Sequence, residues 1–229
     1  MGLNPVLIWD IDGTILTTGG RGFPSMTRAV QEVTGLKKIS ENYSNTHGLT
    51  DIEVIKNLYG NKFKPLTKNE IKIILNLYEK YIEEVFNLNP PIILPNIVET
   101  FTLIKSSSKY KMAIGTGNSL KGARIKLKTA KINDFFSENN FYCADIHNTK
   151  RINIIRKAKR SIENNEFGIV IGDTPADILC AKKCGFYSIA IASGSFTIDE
   201  LRMHGADVVL ENSWTPDALM FSIKNIEKI

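Results

Sequence analysis

At 229 residues, 43% of them hydrophobic and 23% charged, the chain can bury a sizeable core and is too evenly balanced to be a disordered or strongly acidic protein. The net charge of +5 is spread along the sequence, and the two dense basic stretches, 121–131 and 150–160, also carry apolar residues at helical spacing, so solvated helix faces account for them better than a nucleic-acid footprint. No apolar run is long enough to span a bilayer, Met1 to Pro5 shows neither a basic nor a hydrophobic leader, and Cys143, Cys180 and Cys184 fit no metal spacing. A cytoplasmic protein with reduced thiols is expected, with no membrane or nucleic-acid partner and a monomer as the default.

Val6 to Trp9 is an uncharged β-branched and aromatic run, which predicts a strand buried on both faces. It ends on Asp10 and Asp12, whose carboxylates would face the same way in an extended chain and repel unless a cation sits between them. Gly13 lets the backbone turn sharply and Thr14 adds a hydroxyl. A strand followed by an ordinary Asp-Gly turn is the alternative explanation of this string.

After a glycine-rich connection, Met26, Ala29, Val30 and Val33 mark a helix stopped by Gly35. Thr50 with Glu53, and Thr67 with Glu70, have the spacing of capping boxes at the starts of two more helices, the second ending at Asn89 and Pro90. Residues 18–90 thus read as an inserted helical domain between residues 1–17 and 91–229 of an α/β core. From Ile97 the chain alternates helix and strand: strands are predicted at 110–115, 141–144, 167–171, 187–192 and 207–210, helices at about 120–131 and 150–162, from Pro175 to Gly185, and after Pro216. Short right-handed crossovers make this a doubly wound parallel sheet.

Three strand tips on one sheet edge carry polar residues. Thr116, Gly117 and Asn118 offer a hydroxyl and N–H groups suited to a phosphate oxygen, and they equally suit a plain turn and N-cap. Asp173 and Asp177 are four apart across a strand-to-helix junction. Asp177 could simply favour the helix N-terminus, whereas Asp173 has no such explanation. Carboxylates converging from separate segments call for a divalent cation, and an all-oxygen donor set suits Mg²⁺ rather than zinc. Lys150 and Arg151 are the candidates for a cation facing a bound anion.

The order D-x-D-G-T at 10–14, Thr116, a basic residue before a helix, and G-D-x-x-x-D at 172–177 resembles the haloacid dehalogenase superfamily over essentially the whole chain. Gly48-Leu-Thr50-Asp51, Thr116-Gly-Asn118 and the run from Gly194 to Leu201 look like its phosphoglycolate phosphatase-like branch. The resemblance implies that Asp10 is a nucleophile forming an aspartyl-phosphate. It implies that Asp12 protonates the leaving alcohol and then activates water, that Thr116 binds phosphate, and that Lys150, or Arg151 in the other register, neutralises it. Asp10, Asp12 through its carbonyl, Asp173 and Asp177 would hold Mg²⁺, and the helical insertion would be a mobile cap. Gly13, Thr14, Gly117, Asn118, Arg21 and Thr50 are expected around the substrate, with His47, Asp51 and Lys56 as further cap residues within reach. The activity implied is a Mg²⁺-dependent phosphatase for a small phosphorylated metabolite, phosphoglycolate-like or a sugar phosphate. A phosphomutase of the β-phosphoglucomutase type and a non-catalytic binding member of the fold are the alternatives.

Overall fold

Strand β1, Asn4–Trp9, lies inside a six-stranded sheet in the computed structural model, which describes residues 4–39, 46–60 and 64–228. Residues 1–3, on which the expectation about a leader partly rests, lie outside that range. The other strands are β4 (Lys111–Ser119), β5 (Phe141–Ala144), β6 (Glu166–Gly172), β7 (Tyr187–Ala192) and β8 (Val208–Glu211). The order is β5-β4-β1-β6-β7-β8 and every pairing is parallel. Strand β1 therefore marks the switch point, where crossovers depart in both directions and the strand tips leave a crevice.

Side-chain alternation along β1 sends Leu7 and Trp9 to one face and Val6 and Ile8 to the other, and helices cover both. Helices α4 (Ile97–Ser106), α5 (Leu120–Thr129) and α9 (Pro216–Ile226) pack on the first face, where Trp9 meets Phe101 edge-on at 5.0 Å. On the second, α6 (Arg151–Arg160) and α7 (Pro175–Cys184) bring Ile154, Ile155, Cys180, Ala181 and Cys184 onto the sheet. All three cysteines are buried and free of disulfides, as packing groups would be.

Helices α1 (Gly22–Thr34), α2 (Asp51–Tyr59) and α3 (Lys68–Leu88) form a separate apolar cluster built on Met26, Val30, Ile52, Ile55, Ile74, Ile82 and Phe86. Both expected capping boxes are formed, at Thr50–Glu53 and Thr67–Glu70, and Gly35 closes α1 at φ +71°. The chain enters and leaves this group through a two-stranded antiparallel ribbon, β2 (Leu16–Thr17) with β3 (Ile92–Ile93). The ribbon was not expected from sequence, because two residues carry no periodicity. Helix α8 (Ile198–Met203) was not expected as an element either, although Thr197 and Glu200 cap it with the same box. Strand β4 runs on to Ser119, past the predicted end at Gly115, with a register shift against β5 between the two. No helix among the described residues is long and apolar enough to cross a membrane.

Candidate active site

Parity fixes where the first carboxylate points. Asp10 follows Trp9 on the side of Val6 and Ile8, toward α6 and α7, and it is only 4% exposed. There its Oδ2 meets the Arg151 guanidinium at 2.7 Å, and the same Arg151 nitrogen lies 2.6 Å from Asp177 Oδ1. Asp177 also accepts from the Thr174 N–H at 3.1 Å and its hydroxyl at 2.7 Å, so it completes the α7 N-terminus as well as facing the arginine. Asp173, at the tip of β6, accepts from the Thr14 hydroxyl at 3.0 Å. Its carboxylate sits so close to the backbones of Gly13 and Gly194 that an added Cβ would come within 2.3 and 1.9 Å of Asp173 Oδ2. Only glycine fits at either place, and Gly13 also holds φ +81°.

One carboxylate oxygen from each of Asp10, Asp173 and Asp177 lies within 4.8 Å of the others. Three buried acids against one guanidinium leave negative charge uncompensated. Burial and then the neighbouring Asp10 and Asp177 carboxylates push Asp173 well above the ordinary carboxylate range. Burial likewise raises Asp10 to about 6, with Arg151 pulling the other way. For Arg151, burial opposes the charge, yet Asp10 and Asp177 outweigh it and hold the guanidinium protonated. Asp10 Oδ1 is buried with no hydrogen-bond partner. A hard divalent cation matches this set, since the donors are all oxygen and the cluster contains neither His nor Cys.

A second polar group occupies the β4 side. Asp12 Oδ2 accepts from Lys126 Nζ at 2.6 Å and from Asn118 Nδ2 at 2.7 Å, while Lys126 also donates to Asn118 Oδ1 at 2.5 Å. Asn118 Nδ2 reaches back to the Thr116 hydroxyl at 2.8 Å. Burial alone would lower the Lys126 ammonium, but Asp12, Asp51 and Asp10 together raise it. The α1–α3 group touches the sheet edge here. Asp51, at the start of α2, accepts from the Ser119 N–H at 2.7 Å, and Glu79 of α3 accepts from the Ser119 hydroxyl at 2.8 Å. Burial raises both acids, Asp51 to about 6. Gly117 passes so close to the Leu49 carbonyl that a Cβ would stand 2.6 Å from it. Between the two polar groups and the 46–51 segment lies a cavity of about 130 Å³, bordered by Asp10, Asp12, Thr116, Asn118, Lys126 and Asp173.

The family model for haloacid dehalogenase-like hydrolases matches residues 7–191, a span that contains all of these acids. The chain belongs to that family. Among relatives of this haloacid dehalogenase-like hydrolase, the "Probable phosphatase IndB" of Dickeya dadantii is 21% identical over 213 residues, covering 91% of this chain and 90% of the relative. Among solved structures, a "predicted phosphatase" from Clostridium acetobutylicum aligns with a TM-score of 0.70 at 18% identity, over 98% of this chain and 100% of its own. The CbbY protein of Rhodobacter sphaeroides, solved with phosphate, aligns with a TM-score of 0.68 at 19% identity over 91% and 93%. At such identities the structural likeness concerns the fold, with its α/β core.

Within this haloacid dehalogenase-like hydrolase the residues singled out from sequence fall into three groups. Asp10, Asp12, Thr116, Gly117, Asn118 and Asp173 border the cavity, as do His47 and Asp51. Gly13, Thr14 and Asp177 stand behind it, supporting Asp173 and Arg151. The remainder are directed elsewhere. Lys150 is the exposed residue before α6, and Arg151 is the one whose side chain enters the cluster. Thr50 is fully buried, with its hydroxyl given to the Thr149 carbonyl at 2.6 Å. Arg21 donates to the carbonyls of Thr18 and Pro90 at 2.7 and 3.0 Å, bracing the connection to the ribbon, and Lys56 borders a different groove beside Tyr59 and Ile146.

The Asp10 and Asp12 carboxylates meet different basic side chains, Arg151 and Lys126. The strand ends at Trp9, and the chain then folds back, with the Ile15 and Leu16 N–H groups both bonded to the Ile11 carbonyl. Each acid consequently has its own basic partner. Lys126 was missed altogether, being one of several lysines on a basic helix. A signal was available: it stands three residues after Ala123 and four before Ala130, on the helix stripe that is buried.

Proposed function

We propose that the protein is a phosphatase that cleaves a small phosphorylated metabolite through a phosphorylated Asp10. The observation that carries this is the meeting of Asp10, Asp12, Asp173 and Lys126 around one small polar cavity at the sheet's switch point. The phosphatase name of a relative, and phosphate in a neighbour of the same fold, support it. Residues 18–90 would serve as the cap that encloses the substrate, and Asp10, Asp173 and Asp177, with the Asp12 carbonyl, would hold Mg²⁺. When bound, that ion would draw charge from the phosphoryl oxygens.

The chain's own groups supply the rest. The Asp10 carboxylate attacks phosphorus as the bond to the alcohol oxygen breaks, and Asp12 delivers a proton to that oxygen. Asp12, now ionised, takes a proton from a water that attacks the same phosphorus, releasing orthophosphate and restoring Asp10. Thr116 and Asn118 orient the phosphoryl group, Lys126 holds Asp12 in place while adding positive charge, and Arg151 keeps Asp10 ionised and aimed. The electrostatic logic is that of phosphoryl transfer generally, where positioning and charge stabilisation dominate.

Phosphate release from p-nitrophenyl phosphate with Mg²⁺ tests the proposal. Asp10→Asn should lower it by at least about 10³-fold, with thermal unfolding still cooperative. EDTA should abolish the wild-type activity and added Mg²⁺ restore it. Turnover that survives either treatment would remove the mechanism.

A further inference from the structure

The cavity has two unlike walls. The sheet edge and its helices contribute five acid and base residues, Asp10, Asp12, Asp173, Lys126 and Arg151, whereas the opposite wall, from α1, α2, α3 and the 46–49 segment, carries Phe23, Met26, Leu49, Val54 and Tyr78, with Thr46, His47 and Asp51 as its other polar members. Among the described residues no lysine or arginine from α1–α3 borders the cavity. The two that sequence offered there, Arg21 and Lys56, are bonded to backbone carbonyls and set in a separate groove, respectively. Residues 40–45 contain no Lys, Arg or His. The basic groups that do border it are already engaged: Lys126 with Asp12 and Asn118, Arg151 with Asp10 and Asp177, and His47 through its Nε2, 3.2 Å from the Ser195 hydroxyl.

A phosphomonoester must place its leaving group against this second wall. A carboxylate there, as in phosphoglycolate, or a second phosphoryl group, as in the bisphosphate a mutase handles, would be stripped of water beside apolar side chains and close to Asp51. Among the described residues the wall offers no lysine or arginine to repay that desolvation, and like-charge contact with Asp51 adds to it. An uncharged alkyl or hydroxyalkyl group loses little there, and the apolar surfaces gain from covering it. The volume of about 130 Å³ is well below the roughly 300 Å³ at which drug-sized ligand sites begin, which keeps the group small.

We infer that the substrate is the phosphomonoester of a small, uncharged and largely apolar alcohol, selected by the wall of Phe23, Met26, Leu49, Val54 and Tyr78. This rests on the phosphatase reading and narrows it, since it disfavours both phosphoglycolate and the mutase alternative.

Isobutyl phosphate and phosphoglycolate share one heavy-atom skeleton and differ in the charge at its end, so their kcat/KM ratio reads the wall directly. The full-length protein with Mg²⁺ should prefer isobutyl phosphate by at least about tenfold, with 1,3-propanediol bisphosphate as poor as phosphoglycolate. Val54→Lys places an ammonium on that wall and should shift the ratio toward phosphoglycolate by about tenfold; because both substrates meet the same variant, any loss of folded protein cancels. A wild-type protein that hydrolyses p-nitrophenyl phosphate and favours phosphoglycolate or the bisphosphate would overturn the inference and leave the phosphatase reading standing. An unchanged ratio in Val54→Lys would overturn the assignment of the wall. Phosphate release from none of the esters would remove the phosphatase reading and this inference with it.

Discussion

The two polar groups flanking the cavity are built in different ways. Around Asp10, every partner comes from the sheet edge and its own crossover helices: Arg151 opens α6, Asp177 sits in the first turn of α7, and Asp173 ends β6. Around Asp12, the direct partners Lys126 and Asn118 also belong to the core, but this group stands where the α1–α3 helices touch the sheet edge, and Asp51 and Glu79 hold the neighbouring Ser119. The Lys126 ammonium consequently feels the Asp51 carboxylate of the other layer as well as Asp12, whereas Arg151 answers only to acids of the core.

Substituting each group's central cation separates the two. Arg151→Met leaves Asp10 and Asp177 buried without their partner, so urea denaturation at neutral pH without metal should show a loss of about 3–5 kcal/mol, partly recovered with Mg²⁺. Lys126→Met should instead act on the chemistry: kcat for an alkyl phosphate, whose leaving oxygen needs a proton, should fall by about 10²-fold, and kcat for p-nitrophenyl phosphate by clearly less. Equal losses on both esters would show that Lys126 merely supports the fold.

The smallest effect concerns pH. Asp10 and Asp51 are raised by burial from an ordinary 3.8 to about 6, so between those values the folded protein binds more protons than the unfolded chain. Their contribution to stability accordingly falls as pH rises through that window. Without metal, the melting temperature should therefore drop between about pH 4.5 and about pH 6.5. Asp51→Asn retains an acceptor for the Ser119 N–H and should flatten the drop by its own share, leaving the part due to the other raised acids, Asp10, Asp173 and Glu79. An unaltered slope would show that Asp51 is not desolvated in solution.

Features governed by local rules were legible in the sequence. Thr50 and Thr67 start helices because a hydroxyl followed three residues later by glutamate satisfies two free N–H groups, a relation contained within four residues. Strand β1 and the tip at Gly172 and Asp173 were legible because a run buried on both faces has no polar alternation to confuse it. Whatever depends on the third dimension was not. Lys150 and Arg151 are adjacent, and the start of α6 decides which of them turns inward. Thr50 was expected at the substrate, but its cap position turns the hydroxyl toward Thr149 instead. Lys126 looked like its solvated neighbours because composition hides the angular position of one residue on a helix.

The β2–β3 ribbon has a practical consequence. Since Leu16 pairs with Ile93 and Thr17 with Ile92, residues 18–91 begin and end side by side. A segment with coincident ends can be exchanged for another without pulling the flanking strands apart, and chain-closure entropy grows only slowly with the length inserted. The position between residues 17 and 92 is thus a natural splice point, where a reporter or a foreign recognition module can be grafted while the parallel sheet keeps its strand order.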